Sequence, residues 1–145
     1  MTKPISTEIL IDAPPERVWA VLTDFAAYRQ WNPFIITIEG EPSVGRQLKA
    51  MFQPPGARAQ GFKPIVLRVE PPNALIWRGS LPIPGLIAGE HSFLLTREGE
   101  RTRFRNSETF SGLLVPFLGK LLAQSREGFD QMNAALKARV ESVAA

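Results

Sequence analysis

The stretch LGKLLAQSREGFDQMNAALKARV, residues 118–140, decides the fold. Leu118, Leu121, Leu122, Ser125, Phe129, Met132, Leu136 and Val140 recur every three or four residues, while Lys120, Arg126, Glu127, Lys137 and Arg139 fall mostly elsewhere. That period predicts one amphipathic helix of about 22 to 26 residues, about 35 Å long at about 1.5 Å per residue. Gly119 and Gly128 weaken it slightly. Asn133 is adjacent to Met132, so at most one of the two is expected to point squarely at a partner surface.

Upstream of this helix the period is two. Ile5, Thr7, Ile9 and Ile11 share one face of a strand. Further strands are predicted at 34–39, 47–52, 62–69, 74–80, 89–96 and 102–110, separated by turns rich in proline, glycine and asparagine. Between the first two strands, Asp12 is a candidate N-cap and Pro14 and Pro15 suit a first helical turn. Val18, Trp19, Val21 and Leu22 then form a short helix, with Trp19 read as core. A second runs from Asp24 through Tyr28 and stops before Trp31-Asn32-Pro33, because a residue preceding proline disfavours the helical region. Asn32 is read as a cap or turn residue at a cavity mouth, or as a ligand contact. The order is strand, two short helices, six strands, long helix. Short turns make the strands an antiparallel meander. One helix cannot fill a seven-stranded sheet, so the expected α+β architecture is a curved sheet gripping the C-terminal helix with a gap between them.

Composition bounds the function. The 145 residues make one domain, 1–145, large enough for a core of its own. The absence of cysteine excludes disulfides, a thiolate nucleophile and Cys-ligated metals. The single histidine, His91, removes the common multi-histidine metal sites, and neither a metal nor a cofactor is expected. The net charge of +3 is small. The arginines at 101, 103 and 105 alternate as on one solvated strand face, and no nucleic-acid partner is expected. The longest uncharged apolar run, 113–119, is far short of the roughly 20 residues of a bilayer span. No cleavable signal is expected, since Glu8 and Asp12 interrupt the apolar N-terminal residues. Proline is abundant, 13 residues, and punctuates the strands.

Ile11-Asp12-Ala13-Pro14-Pro15-Glu16-Arg17-Val18-Trp19 followed by Leu22-Thr23-Asp24 resembles the N-terminal signature of the START-like (SRPBCC, polyketide cyclase/dehydrase-like, Bet v 1-like) superfamily. Trp31-Asn32-Pro33-Phe34, Trp77-Arg78-Gly79, Gly89-Glu90-His91-Ser92-Phe93, Glu108-Thr109-Phe110-Ser111-Gly112 and 128–137 look like its small bacterial members, in the same order. The resemblance spans nearly the whole chain. It implies a helix-grip fold with a deep apolar cavity between sheet and helix, and a cytoplasmic location. It does not choose among cyclases, dehydratases, lipid carriers, hormone-binding proteins and chaperone activators.

Strand parity names candidate cavity residues. Gly89, His91, Phe93 and Leu95 share a face, as do Thr102, Phe104, Asn106, Glu108 and Phe110. If Arg97 faces Thr102 across the 98–100 turn, His91 stands opposite Glu108; a two-residue slip pairs it with Asn106 instead. His91 and Glu108 are candidate acid/base residues, with the alternatives that they anchor a ligand's polar end or only satisfy one another. Trp31, Phe34, Trp77, Phe93, Phe110, Phe129 and Met132 are candidate apolar lining, with Asn106 as a further polar anchor. No nucleophile elbow, P-loop or dinucleotide fingerprint is present. Two apolar loops, 81–87 and 113–118, are candidates for a lid, a membrane-touching lip without stable insertion, or a homodimer contact; they could also simply pack on each other.

The leading expectation is binding of a small hydrophobic ligand, lipid-like or polycyclic and aromatic. The alternatives are a cyclase, dehydratase or isomerase using Glu108 as base and His91 as acid or electrophile, and an interaction protein similar to chaperone ATPase activators.

Overall fold

The structure, a computed structural model, describes residues 2–80 and 85–142. Among the described residues, eight strands and three helices are formed: β1 (Thr2–Ile11), α1 (Pro15–Thr23), α2 (Tyr28–Trp31), β2 (Ile35–Glu39), β3 (Lys49–Phe52), β4 (Gln60–Phe62), β5 (Ile65–Glu70), β6 (Ala74–Ser80), β7 (Ala88–Glu98), β8 (Arg101–Ser111) and α3 (Gly119–Ser142). A 3₁₀ turn, Phe25–Ala27, leads into α2, and another, Val115–Phe117, leads into α3.

The strands form two antiparallel sheets, β1-β8-β7-β6-β5 and β2-β3-β4, where the sequence predicts one sheet of seven. The difference arises at Pro64. Proline has no N–H and restricts the residue before it, so the ladder predicted over 62–69 breaks into β4 and β5. The sheets remain stitched through the segment before β3: Leu48 N–H donates to the Pro64 carbonyl at 2.8 Å, and Val66 N–H to the Arg46 carbonyl at 2.9 Å.

The helical start also differs in detail. Pro14 is the N-cap of α1 and Pro15 its first residue. Asp12 does not cap; its backbone N–H donates to Glu141 at 2.9 Å. Tyr28 is fully buried and donates its hydroxyl to the Leu22 carbonyl. Burial, with the Asp24 charge adding to it, pushes its phenol pKa far up, so it is a neutral core residue.

α3 runs 24 residues along the inside of the curve. Leu122, Ser125, Phe129, Met132, Asn133, Leu136 and Val140 are buried. Met132 and Asn133 are thus both enclosed, where only one was expected to face the sheet. The sheet wraps a wide arc of the helix, and the Asn133 amide finds polar partners inside. The outer face of β8 carries the alternating arginines. Arg105 pairs with Glu8 at 3.2 Å, Arg101 with Asp12 at 3.8 Å, and Arg103 with Glu98.

Candidate functional site

The long hairpin of β7 and β8 sets the site. Its turn at Gly99 places Arg97 opposite Thr102, so His91 stands directly across from Glu108 and Phe93 from Asn106. Opposed residues on one face have Cβ atoms about 5 Å apart, and the diagonal neighbour is within reach of a long side chain. His91 uses both. Its Nδ1 lies 2.8 Å from Glu108 Oε1, and its Nε2 lies 2.6 Å from Asn106 Oδ1. The two registers that the sequence leaves open thus differ in backbone pairing but share partners: Glu108 is the opposed residue and Asn106 the diagonal one.

The polar contacts continue into the core. Asn106 Nδ2 donates to Asn133 Oδ1 at 3.1 Å, Asn133 Nδ2 donates to Thr7 Oγ1 at 2.8 Å, and the Thr7 hydroxyl donates to the Asn106 carbonyl at 3.2 Å. Apolar rings enclose the imidazole, with Phe93, Phe129 and Trp77 at centroid distances of 4.4, 5.0 and 5.6 Å. His91 is 2% exposed, whereas the Glu108 side chain is 17% exposed. Gly89 makes that difference. A Cβ there would lie 2.1 Å from Glu108 Oε2, so the carboxylate occupies the space that a side chain at 89 would take.

Glu108 borders a cavity of about 290 Å³. Its walls are mainly aromatic and aliphatic: Phe34, Phe52, Phe62, Trp77, Phe110 and Phe129, with Leu114, Leu118 and Leu121 from the approach to α3. Phe34 stacks on Phe52 at 5.6 Å and meets Phe129 edge-on at 5.3 Å. Gly128 seats that ring, since a Cβ there would lie 2.4 Å from Phe34 Cδ1. Of the residues named from sequence, Phe34, Trp77, Glu108, Phe110 and Phe129 stand on the wall. His91, Phe93, Asn106 and Met132 lie behind it as closed core, because the C-terminal half of α3 fills the space they face. Trp31 packs against the core from α2, also away from the wall. Asn32 is a turn cap: its Oδ1 accepts from Phe34 N–H at 3.0 Å and Ile35 N–H at 2.9 Å.

Sequence reading missed Phe52, Phe62, Pro54, Ala57 and Arg58, which close one side of the cavity. The signal was present in the 53–57 turn, too proline-rich for a plain hairpin, with Phe52 directly before it and Phe62 five residues after it. The loop lies over α3, with Gly56 close to Gln124. The two apolar loops do meet: Leu113 N–H and Leu114 N–H donate to the Gly85 and Leu86 carbonyls, each at 2.9 Å. Residues 81–84 of the first loop lie outside the described residues. Leu113 and Phe117 are exposed. A larger groove, about 540 Å³, shares Gly79, Ser80, Ile87 and Ala88 with the cavity, but its wall carries Gln47, Lys63 and Arg78 and lacks the His91–Glu108 pair. Among the described residues no group of three or more His, Asp or Glu is placed to hold a metal ion, and no helix is long and apolar enough to cross a membrane.

A long helix held in an antiparallel sheet, with an apolar cavity between them and one carboxylate at its wall, is the helix-grip fold. The chain belongs to the family described as polyketide cyclase / dehydrase and lipid transport, whose sequence profile matches residues 3–141. It is similar in structure to the Zhui aromatase/cyclase of Streptomyces sp. R1128, with a TM-score of 0.81 at 15% identity over 100% of this chain and 97% of that one. A START superfamily protein of Mycobacterium smegmatis gives 0.74 at 20% identity, over 97% and 98%. A protein of Mesorhizobium loti gives 0.76 at 22%, over 97% and 98%. At these identities the likeness is one of fold. No curated protein matches the sequence.

Proposed function

We propose that the protein binds a small, apolar, ring-bearing molecule in the cavity, with Glu108 orienting its polar end. The observation that carries this reading is a single carboxylate, tied back by a buried histidine, at the wall of a mainly apolar cavity. Such a site gains affinity from buried apolar area and orientation from few polar groups. The volume, about 290 Å³, lies just below the about 300–1,000 Å³ usual for ligand pockets and suits a compact molecule. Glu108 Oε1 is taken by His91, and among the described residues no protein group hydrogen-bonds Oε2. Oε2 is therefore an acceptor for a ligand hydroxyl or N–H.

Native mass spectrometry of protein purified from its source tests the reading directly, by the mass of a co-purified molecule. Titration with 2-naphthol and with its methyl ether supplies a second test. We expect the naphthol to bind several-fold more tightly, and Glu108→Leu to abolish that preference. Weak, equal binding of both, with no co-purified molecule, sinks the reading.

A second reading, acid–base catalysis, is favoured by the 2.8 Å His91–Glu108 hydrogen bond, which can pass a proton to or from a group at Oε2. Loss of turnover in Glu108→Gln and His91→Ala with ligand affinity retained would support it; equal loss of binding would not.

A further inference from the structure

We infer that Thr7, Asn133 and Asn106 are positioning residues that fix which nitrogen of His91 carries hydrogen. The chain of hydrogen bonds has a direction. The Thr7 hydroxyl donates to the Asn106 carbonyl, so its oxygen is free to accept from Asn133 Nδ2. Asn133 then presents Oδ1 to Asn106 Nδ2, and Asn106 presents Oδ1 to His91 Nε2. An amide oxygen can only accept, so Nε2 is an N–H donor. Amide oxygen and nitrogen are told apart by their partners. Turning both amides over preserves the chain but loses the Thr7 bond to the Asn106 carbonyl and the Asn106 Nδ2 contact to Met132 Sδ at 3.7 Å. The direction with Asn106 Oδ1 towards His91 is the better satisfied one.

The consequence reaches the cavity. With Nε2 as donor, the Nδ1···Oε1 bond must hold one hydrogen of its own. Either the imidazole carries it against a carboxylate, or the carboxyl carries it against a neutral imidazole; in both cases the pair is neutral overall. Turned over, the chain leaves Nε2 bare, Nδ1 donating, and a net negative charge on the pair. Thr7, on β1 and behind the cavity wall, thus biases the proton content of the cavity's acid group through two asparagines. This deepens the proposed function, since it describes the group that a ligand would meet, and its test needs no ligand.

The chain has one histidine, so full-length protein labelled with 15N-histidine gives a single set of imidazole signals. We expect hydrogen on Nε2, seen by its one-bond N–H coupling. Thr7→Val keeps the shape and removes the hydroxyl; it should lower the Nε2–H share several-fold, and Thr7→Ser should restore it. A bare Nε2 in the native protein overturns the inference, as does folded Thr7→Val protein with an unchanged imidazole spectrum. If Thr7→Val does not fold, Asn133→Asp decides. Its carboxylate still accepts from Asn106 and must keep Nε2–H, so loss of that hydrogen overturns the inference. Failure of naphthol binding with Nε2–H intact would instead count against the cavity reading alone.

Discussion

The two halves of α3 run through one curved sheet and meet different surroundings. From Phe129 onward, Met132, Asn133, Leu136 and Val140 are buried against β1, β8 and α1, and even the polar Asn133 is enclosed. Before Gly128 the helix shows Leu121 and Ser125 to a cavity roofed by the 53–62 segment. The boundary falls at Glu108 and His91. Behind it the polar groups satisfy one another; in front of it one carboxylate oxygen is left over. A closed half that holds a polar group rigid, next to an open half that can use it, is what a binding site on this fold requires, because a loosely held anchor would lose orientation.

The contrast predicts unequal costs. Phe93→Ala empties the closed half and should cost about 3–5 kcal/mol, whereas Phe62→Ala at the partly exposed cavity rim should cost about 1 kcal/mol or less. Urea denaturation of both variants checks this, and similar midpoints would erase the distinction between the halves. Next comes Asn133→Leu. It fits the apolar surroundings but leaves Asn106 Nδ2 with only its Met132 Sδ contact and takes the donor from Thr7 Oγ1, and should cost about 1–3 kcal/mol, as for one buried group left short of a partner. A neutral or stabilising result would mean that the polar chain is dispensable to the fold.

Much of this division is legible in the sequence. The three-to-four spacing of residues 118–140 reads as the gripped helix, and the parity of 89–95 and 102–110 puts the arginines outside and the phenylalanines inside. Two things escape that reading. Pro64 breaks one predicted strand, but whether its missing N–H splits a sheet or only dents an edge depends on which strand lies beside it, and that is a long-range pairing. Residues such as Phe93, Asn106 and Met132 are apolar-face positions like Trp77 and Phe110. What separates wall from core is where the helix stops filling the curve, and periodicity carries no depth. Asn133 lies on the edge of the helical stripe, and its burial follows only once Asn106 and Thr7 are brought beside it.

Gly89 offers a way to sharpen the boundary at the carboxylate itself. Its backbone is ordinary strand, and the atom a Cβ would displace is the end of a flexible side chain. Gly89→Ala should therefore leave the strand itself intact while driving the Glu108 carboxylate from its seat and breaking the Nδ1···Oε1 bond, at about 1–3 kcal/mol for a buried imidazole nitrogen left without its partner. The expected signature is an altered His91 imidazole spectrum and reduced preference for naphthol over its methyl ether, with a fall in the urea midpoint no larger than that of Asn133→Leu. A large drop in midpoint with the His91 signals unaltered would show that Gly89 serves the strand and not the carboxylate.

The smallest effect lies at the far end of the closed half. Lys137 Nζ donates to Glu141 at 2.5 Å and to the Leu10 carbonyl at 3.1 Å, and Glu141 also accepts from Asp12 N–H, so this pair clamps the end of α3 onto β1. The Lys137 hydrogen bond first, then the Asp12 N–H, holds the Glu141 carboxyl below its usual pKa. A carboxyl whose pKa is lower in the folded state adds stability above its unfolded value, near 4.3, and that stability disappears as pH falls through the folded value. Glu141→Gln keeps an acceptor for Asp12 but removes the charge. The native protein should therefore lose more stability than the variant between pH 7 and pH 3, by a few tenths of a kcal/mol for so exposed a pair. Other exposed carboxyls held low, Glu70 beside Arg68 and Glu98 beside Arg103, contribute to both proteins and cancel in the difference. Equal acid sensitivity would show that the clamp is held by the Lys137–Leu10 bond and the apolar contacts of Leu136 and Val140, with the ion pair adding nothing.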